Sequence, residues 1–349
     1  MTSIFMTGST GLLGSALLEK FIDDSEIDHF ILSVRDPEKA KLKLHTVISR
    51  GFNIGKRIDF LPFVLGGNSL EVVRNKLLKF GKIDEIYHSA AIVSLTRSKQ
   101  KKEELNRINV EGTNQLLELA RTMEVSRFFY FSSAYSCGKS EHPVKEDIFS
   151  RPESFRNYYE ETKWRAEQRV ASFGSIFPVH IFRPGIISSS NLTESQTIYL
   201  YASLLKDAFK LRSSFGERIR VLADNESSLG MTSLDDLIGM VNYIRKSPKK
   251  QVYNMTNPIP WKVSSVIDSI SEALGFQGGF LLDNKLTSLD MSKAEKFVYT
   301  YTLPFTPYTI NNRSSWVNGN YSEAKNALHI PDRNPDFFRN NLIKFVKST

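Results

Sequence analysis

Tyr159 and Lys163, in the stretch NYYEETKWRAEQRV, carry the first chemical signal in this chain of 349 residues. On a helix, positions i and i+4 share a face, so a phenol and an ammonium would stand side by side. The ammonium favours the phenolate, lowers the tyrosine pKa and makes the pair a proton donor at working pH. Tyr158 is the rival, but four residues beyond it stands Thr162, so spacing selects Tyr159. Tyrosine and lysine at this spacing are common on surface helices. What raises the pair above that background is the upstream stretch FSSAYSCG, which offers a hydroxyl, Ser132 or Ser133, at a strand end. Such a hydroxyl can hydrogen-bond the oxygen of a bound carbonyl and hold it for Tyr159 to protonate.

A second signal is GSTGLLGS, with Gly8, Gly11 and Gly14 at three-residue spacing. The apolar run before it, 4–6, reads as a buried strand, while Leu12, Leu13, Ala16, Leu17 and Phe21 recur at helical spacing. The glycines thus sit on a strand-to-helix turn. Free N–H groups and the helix dipole there can receive a diphosphate, which only a backbone without side chains can approach closely. Without that context, three glycines would mean no more than a tight turn.

The elements that must position these residues follow a regular rhythm. Apolar runs at 29–35, 57–66, 83–91, 127–135 and 177–187 read as further strands, and 37–50, 70–78, 108–123 and 158–173 as helices between them. Each strand is continuously apolar rather than alternating, which predicts an α/β fold with a doubly wound parallel sheet covered on both faces. Ligands of such sheets gather at the carboxyl ends of the strands. The glycine turn, Arg35, His88 to Ala91, Ser132–Ser133 and Arg183 to Gly185 all fall on that rim. Beyond Ile187 the rhythm loosens into polar loops, SSSNLTES and KLRSSFGER, a helix at 199–210 and a hydrophobic helix at 234–244. The expected organisation is a dinucleotide-binding domain at 1–190 and a smaller substrate-binding lobe at 191–349 packed on it, with 252–256 returning a strand to the sheet.

Composition narrows the class. With 41% hydrophobic and 24% charged residues the chain suits a globular protein with a large core. No apolar run approaches the roughly 20 residues of a membrane helix, and the first residues enter a strand with no room for a signal peptide, so a cytoplasmic protein is expected. One cysteine, Cys137, excludes an internal disulfide, and six scattered histidines give no metal site. The net charge of +8 suits anionic partners such as dinucleotides, coenzyme A or a carrier protein. The basic run 97–102 reads as a solvated face, and no nucleic-acid partner is expected. The sequence carries no signal for oligomeric state.

The motifs TGSTGLLG, HSAA, INVEGT, FSSAYSCG, YYEETK and FRPG, in this order over about the first 190 residues, resemble those of extended short-chain dehydrogenases/reductases. The resemblance implies a Rossmann-type sheet and selects Ser133 over Ser132, because the family's hydroxyl residue stands five before the glycine, here Gly138. It further implies that Asn109 helps order the site and that Lys163 also holds the nicotinamide ribose. By the same likeness Gly8, Thr10, Gly11, Leu12, Leu13, Gly14, Ser89, Ala90 and Ala91 would hold the dinucleotide, with Pro184, Gly185, Ile186 and Ile187 beside the nicotinamide. Within the family, KIDEIYHSAAIVSL, SVRD, ELNRINVEGTNQLLELA, TKWRAE and VYNMTNPIPWKVSSVIDSISEALG are similar to thioester reductase domains, carboxylic acid reductases and fatty acyl-CoA reductases.

That branch implies reduction of an acyl thioester, on coenzyme A or on the phosphopantetheine arm of a carrier protein, to aldehyde or alcohol. A dehydrogenase, epimerase or dehydratase acting on a nucleotide sugar, sterol or small ketone uses the same residues, and a non-catalytic dinucleotide sensor shares the fold. Arginine at the end of strand two pairs with a 2′-phosphate, so Arg35 favours NADPH, while Asp36 leaves NADH open. Where the family has Gly-Asp-Leu after strand three this chain has Gly67-Asn68-Ser69, and Asn68 is expected to keep the adenine contact. His88 is expected to pack near the cofactor without acting as acid or base.

Overall fold

The computed structural model describes residues 1–67, 69–149, 151–189, 197–211, 218–247, 250–287 and 291–349. Asn68 lies outside the described residues, as do most of the two polar loops noted above. Six strands, β1 (Thr2–Thr7), β2 (Ile27–Val34), β3 (Arg57–Pro62), β4 (Glu85–His88), β5 (Arg127–Phe131) and β6 (Val179–Pro184), pair in parallel. After the short strands β7 (Ile186–Ser188), β8 (Ile219–Val221), β9 (Ser228–Leu229) and β10 (Met231–Ser233), the chain returns as β11 (Val252–Met255) beside β6. The sheet runs β3-β2-β1-β4-β5-β6-β11. The order reverses between β1 and β4, and that crevice is where an open sheet receives a ligand.

Continuous apolar strands are explained by cores on both sheet faces. Phe30, Leu32, Tyr87, Phe129 and Phe182 point into one, with helices Leu12–Phe21 and Leu234–Lys246 over them. Their neighbours Ile31, Ile86, Phe128 and Ile181 point into the other. Residues after 190 therefore contribute covering helices, Leu234–Lys246 and Gly319–Ala327, and an edge strand to the sheet. A third core, built from the helices Thr197–Leu211, Val263–Ala273 and Pro335–Ser348, forms the lobe above the strand ends. Outside the main sheet, β7 pairs with β10, β12 (Trp261–Lys262) with β9, and β13 (Phe280–Leu282) with β8.

Two sequence expectations change in detail. The helix read at 37–50 breaks at Leu44 into Pro37–Lys43 and His45–Asn53, because Leu44 leaves helical geometry at φ −102°, ψ 11°. The helix read from 108 begins earlier, as Lys99–Leu105, and passes through a wide π turn at Asn106–Glu111 before Gly112–Thr122. Charged residues at 99–104 concealed that start from the apolar pattern.

Candidate active site

The glycine turn is built by close backbone approach. Gly8 has φ +78°, and a Cβ there would lie 2.7 Å from both the Ala90 nitrogen and the Ser89 hydroxyl. A Cβ on Gly14 would lie 2.1 Å from the Gly8 carbonyl oxygen, so the helix can pack against the strand only without one. Gly11 N donates to Gly8 O at 2.9 Å, and the helix Leu12–Phe21 starts with no side-chain cap on its amides. Ser9 Oγ is buried with no hydrogen-bond partner. An open helix N-terminus, a cradle that any Cβ would fill and an orphaned hydroxyl together fit a diphosphate.

Across the crevice, the end of β4 is pinned to the end of β1. Ser89 Oγ donates to Thr7 O at 2.9 Å, and the Thr7 hydroxyl meets His88 Nδ1 at 2.8 Å. His88 Nε2 lies 2.8 Å from Thr113 Oγ1, whose hydroxyl also donates to Asn109 O at 2.7 Å. Burial brings the His88 imidazole down to about 3, so the ring is neutral and bridges hydroxyls. Asn109 accepts from Ile92 N at 2.8 Å and donates to Ile92 O at 3.0 Å and to Thr162 Oγ1 at 3.2 Å. It ties the loop after β4 to the helix Tyr158–Ser172.

That helix begins at Asn157, whose side chain accepts from Glu160 N at 3.0 Å. Its face brings Tyr159 and Lys163 towards the end of β5, where the Ser133 side chain stands near enough to Tyr159 to oppose the rise of its pKa and accepts from Tyr135 N at 3.2 Å. Ser132, the rival hydroxyl, also lines the cavity but is committed, donating to Glu167 Oε2 at 2.7 Å. The fully buried Glu167 is held in turn by Arg183, whose Nε lies 3.1 Å from both carboxylate oxygens. Lys163 Nζ donates to Phe131 O and lies 4.4 Å from the centre of the Tyr130 ring.

The electrostatics differ from the simple expectation that Lys163 lowers the pKa of Tyr159. Burial pushes the Tyr159 phenol up to about 12, with the Glu160 charge adding to the rise and the Ser133 hydrogen bond opposing it. Burial likewise brings the Lys163 ammonium down to about 7, against the pull of Glu167. Both groups have left water, and desolvation outweighs every interaction between side chains here.

A cavity of about 290 Å³ opens beside these groups. Leu12, Leu13, Ser89, Ala91, Ser133, Tyr159, Lys163 and Pro184 to Ile187 line its sheet side. The lobe closes the other side with Ile198, Tyr201, Leu229, Val263, Val266, Phe305 and Tyr308. Most of the lobe wall escaped sequence reading, because apolar residues from four separate segments carry no motif. Of the aromatic residues that the later sequence offers, Tyr199 instead stacks on Phe345 at 4.6 Å, and Phe209 meets Phe276 at 5.1 Å. Phe215 lies outside the described residues. Trp164 packs near Phe155 and donates to Phe149 O at 3.4 Å, away from the cavity lining.

Tyr308 was also invisible in sequence. Its hydroxyl donates to Glu160 Oε1 at 2.7 Å and accepts from Asn157 Nδ2 at 2.7 Å, so a late segment clamps the start of the Tyr159 helix. Arg156 joins the clamp through Asn312 Oδ1 at 2.9 Å and Ser314 Oγ at 2.6 Å. Cys137 is buried, donates to Ala134 O at 3.2 Å, and burial pushes its thiol up to about 12, which excludes a ready thiolate nucleophile. Arg35, at the end of β2, is exposed, with no ion pair among the described residues. Asp36 beside it is occupied as a helix cap, accepting from Glu38 N and Lys39 N at 3.1 Å.

Residues 6–238 match the family described as Male sterility protein, an NAD-binding domain. The chain is 28% identical over 222 residues to the hybrid PKS-NRPS synthetase gkaA of Penicillium citrinum, a match covering 59% of this chain and 5% of that protein. Among solved structures it resembles the terminal R domain from the myxalamid PKS-NRPS biosynthetic pathway, with TM-score 0.70 or better: 0.76, at 18% identity, over 100% of this chain and 90% of that one. It also resembles UDP-glucuronic acid 4-epimerase from Bacillus cereus, with TM-score 0.70 and 19% identity over 99% of both chains. At these identities the structural likenesses establish the shared fold. The chain spans only a small part of the curated synthetase it matches.

Proposed function

Because the chain belongs to the Male sterility family of NAD-binding proteins, we propose that it is an NADPH-dependent reductase of acyl thioesters, yielding an aldehyde or alcohol. The observation that carries this reading is the character of the cavity. Ser133, Tyr159 and Lys163 stand on one wall, and the remaining described lining contains no other charged side chain. A nucleotide sugar would bring a diphosphate that needs cations beside it. An uncharged acyl chain suits the wall as it stands.

When bound, the nicotinamide supplies hydride to the carbonyl carbon. The Ser133 and Tyr159 hydroxyls would hydrogen-bond the thioester oxygen and stabilise the charge that develops on it. Loss of the thiolate, which takes up a proton, leaves the aldehyde. For a second reduction to the alcohol, Tyr159 would donate the proton to the carbonyl oxygen, with Lys163 and Asn109 ordering its surroundings. The dinucleotide would lie on Gly8, Thr10, Gly11, Leu12, Leu13 and Gly14, against Ser89, Ala90 and Ala91 and along Pro184, Gly185, Ile186 and Ile187. Arg35, uncommitted while Asp36 caps a helix, supports a 2′-phosphate and hence NADPH. Similarity to a PKS-NRPS synthetase supports a substrate delivered on a carrier protein, with coenzyme A as the other thiol carrier.

The test is NADPH oxidation with a panel of acyl-CoA and acyl-carrier thioesters, set beside UDP-sugars and simple ketones. Thioester turnover that falls by about 10²–10⁴-fold in Tyr159→Phe, with NADPH binding retained, is the expected result. Turnover of a sugar nucleotide or ketone without any thioester activity would replace this reading with an epimerase- or dehydrogenase-like one.

A further inference from the structure

Among the described residues, Tyr201 on the lobe side of the cavity carries a polar group with nothing to do. Tyr201, on the helix Thr197–Leu211, lines the cavity and is only 4% exposed. Its ring meets Phe305 edge-on at 5.4 Å, yet its hydroxyl is buried with no hydrogen-bond partner among the described residues. Two other lobe-side hydroxyls are committed. Tyr308 donates to Glu160, and Thr309 Oγ1 donates to Leu222 O at 3.0 Å. Tyr201 shares its hydrophobic cluster and the cavity wall with Ile198, Leu229, Val263, Val266 and Phe305, whose side chains neither donate nor accept.

Leaving a buried hydroxyl without a partner is unfavourable, and phenylalanine would fill the same apolar surroundings without that cost. Native interiors rarely leave such groups unpaired. The hydroxyl has a use if a ligand in the adjoining cavity draws it to the cavity surface and completes it. On the opposite wall Ser133 and Tyr159 already address the reacting carbonyl, so a second polar point must address a different part of the same substrate.

We propose that Tyr201 is a specificity-determining residue, whose hydroxyl hydrogen-bonds an uncharged polar group (a hydroxyl, keto or amide oxygen) carried on the acyl chain beyond the thioester. This rests on the thioester reading above and narrows it from apolar acyl chains in general to chains with one oxygen function among apolar carbons. A charged substituent is excluded, because the wall offers no counter-ion for it.

The test uses chain-matched acyl-CoA thioesters, one plain and the others carrying a single hydroxyl or keto oxygen moved stepwise along the chain, with wild type and Tyr201→Phe. Wild type is expected to prefer at least one oxygenated isomer over the plain chain by about fivefold or more in kcat/KM, the size of one net hydrogen bond. In Tyr201→Phe that ratio falls to near one. Wild type that turns over plain and oxygenated chains alike, or a variant that keeps the preference, overturns the proposal while leaving thioester reduction intact. No turnover of any thioester removes the parent reading and this one with it. Thermal unfolding gives a separate check. Removing an unpartnered hydroxyl should leave Tm equal or higher, and a fall of several degrees in Tyr201→Phe would show that the hydroxyl is paired inside the protein, which also overturns the proposal.

Discussion

At the scale of single residues, burial sets the chemistry. Lys163 is 3% exposed, and burial brings its ammonium down to about 7. In the unfolded chain a lysine stays protonated to about 10.4. Between these values the unfolded chain binds the extra proton, so stability should rise as pH increases from about 7 towards 10. Below pH 7 both states are protonated, and this contribution is flat. Urea denaturation of wild type and Lys163→Met at pH 7 and pH 9 measures it: the variant should lose the part of the slope that Lys163 supplies. An unchanged slope would mean that the amine is solvated. Arg35 yields a second expectation at this scale. Removing a guanidinium that pairs with a phosphate costs about 1.5–3 kcal/mol, so Arg35→Ala should weaken NADPH binding by about tenfold or more and leave NADH binding unchanged. Fluorescence titration with both dinucleotides reads this, and equal losses for the two would remove Arg35 from cofactor selection.

Elements determine whether those residues meet. The turn between β1 and the helix Leu12–Phe21 works only because Gly14 allows the helix within reach of the Gly8 carbonyl. A methyl group would sit 2.1 Å from that oxygen, against backbone that has no rotamer to yield. Gly14→Ala should therefore destabilise the protein by at least about 1–3 kcal/mol and abolish dinucleotide binding in whatever fraction stays folded. Denaturant unfolding together with NADPH fluorescence checks both, and a variant that binds normally would show that the turn can relax. The helix Tyr158–Ser172 is set by its Asn157 cap, which the sequence displays, and by Tyr308 and Arg156 contacts to a segment about 150 residues later, which it does not.

At the scale of the molecule, one buried cluster links the sheet to the site. Glu167 on the Tyr159 helix receives Ser132 from the end of β5 and Arg183 from β6, and Arg183 reaches Asn254 of β11 at 3.3 Å. Glu167→Gln leaves a fully buried guanidinium without its counter-ion, a change that costs about 3–5 kcal/mol. Urea denaturation should show a loss of that size, with the midpoint moving and the m-value constant. A loss below about 1 kcal/mol would mean that water reaches the pair. The same cluster explains why the Ser133 hydroxyl, and not its neighbour's, is left free for a ligand: both residues line the cavity, but the Ser132 hydroxyl is already committed to Glu167.

By itself the sequence determined the parallel sheet, the glycine turn and the Tyr159–Lys163 pair, because each is written in local periodicity: continuous apolar strands, helical spacing and glycines at a strand end. Strand pairing then brings Gly8, Ser89, Ser133 and Pro184 to one rim, which follows from a rule of open sheets rather than from distant contacts. The tertiary structure alone decided the rest. The sequence selected Ser133 over Ser132 only through a motif resemblance, and it could not foresee that burial would raise the Tyr159 pKa or collect Ile198, Tyr201, Leu229, Val263 and Phe305 into one wall. Burial depth and contacts between segments far apart in the chain are properties of packing, and packing leaves no short-range pattern to read.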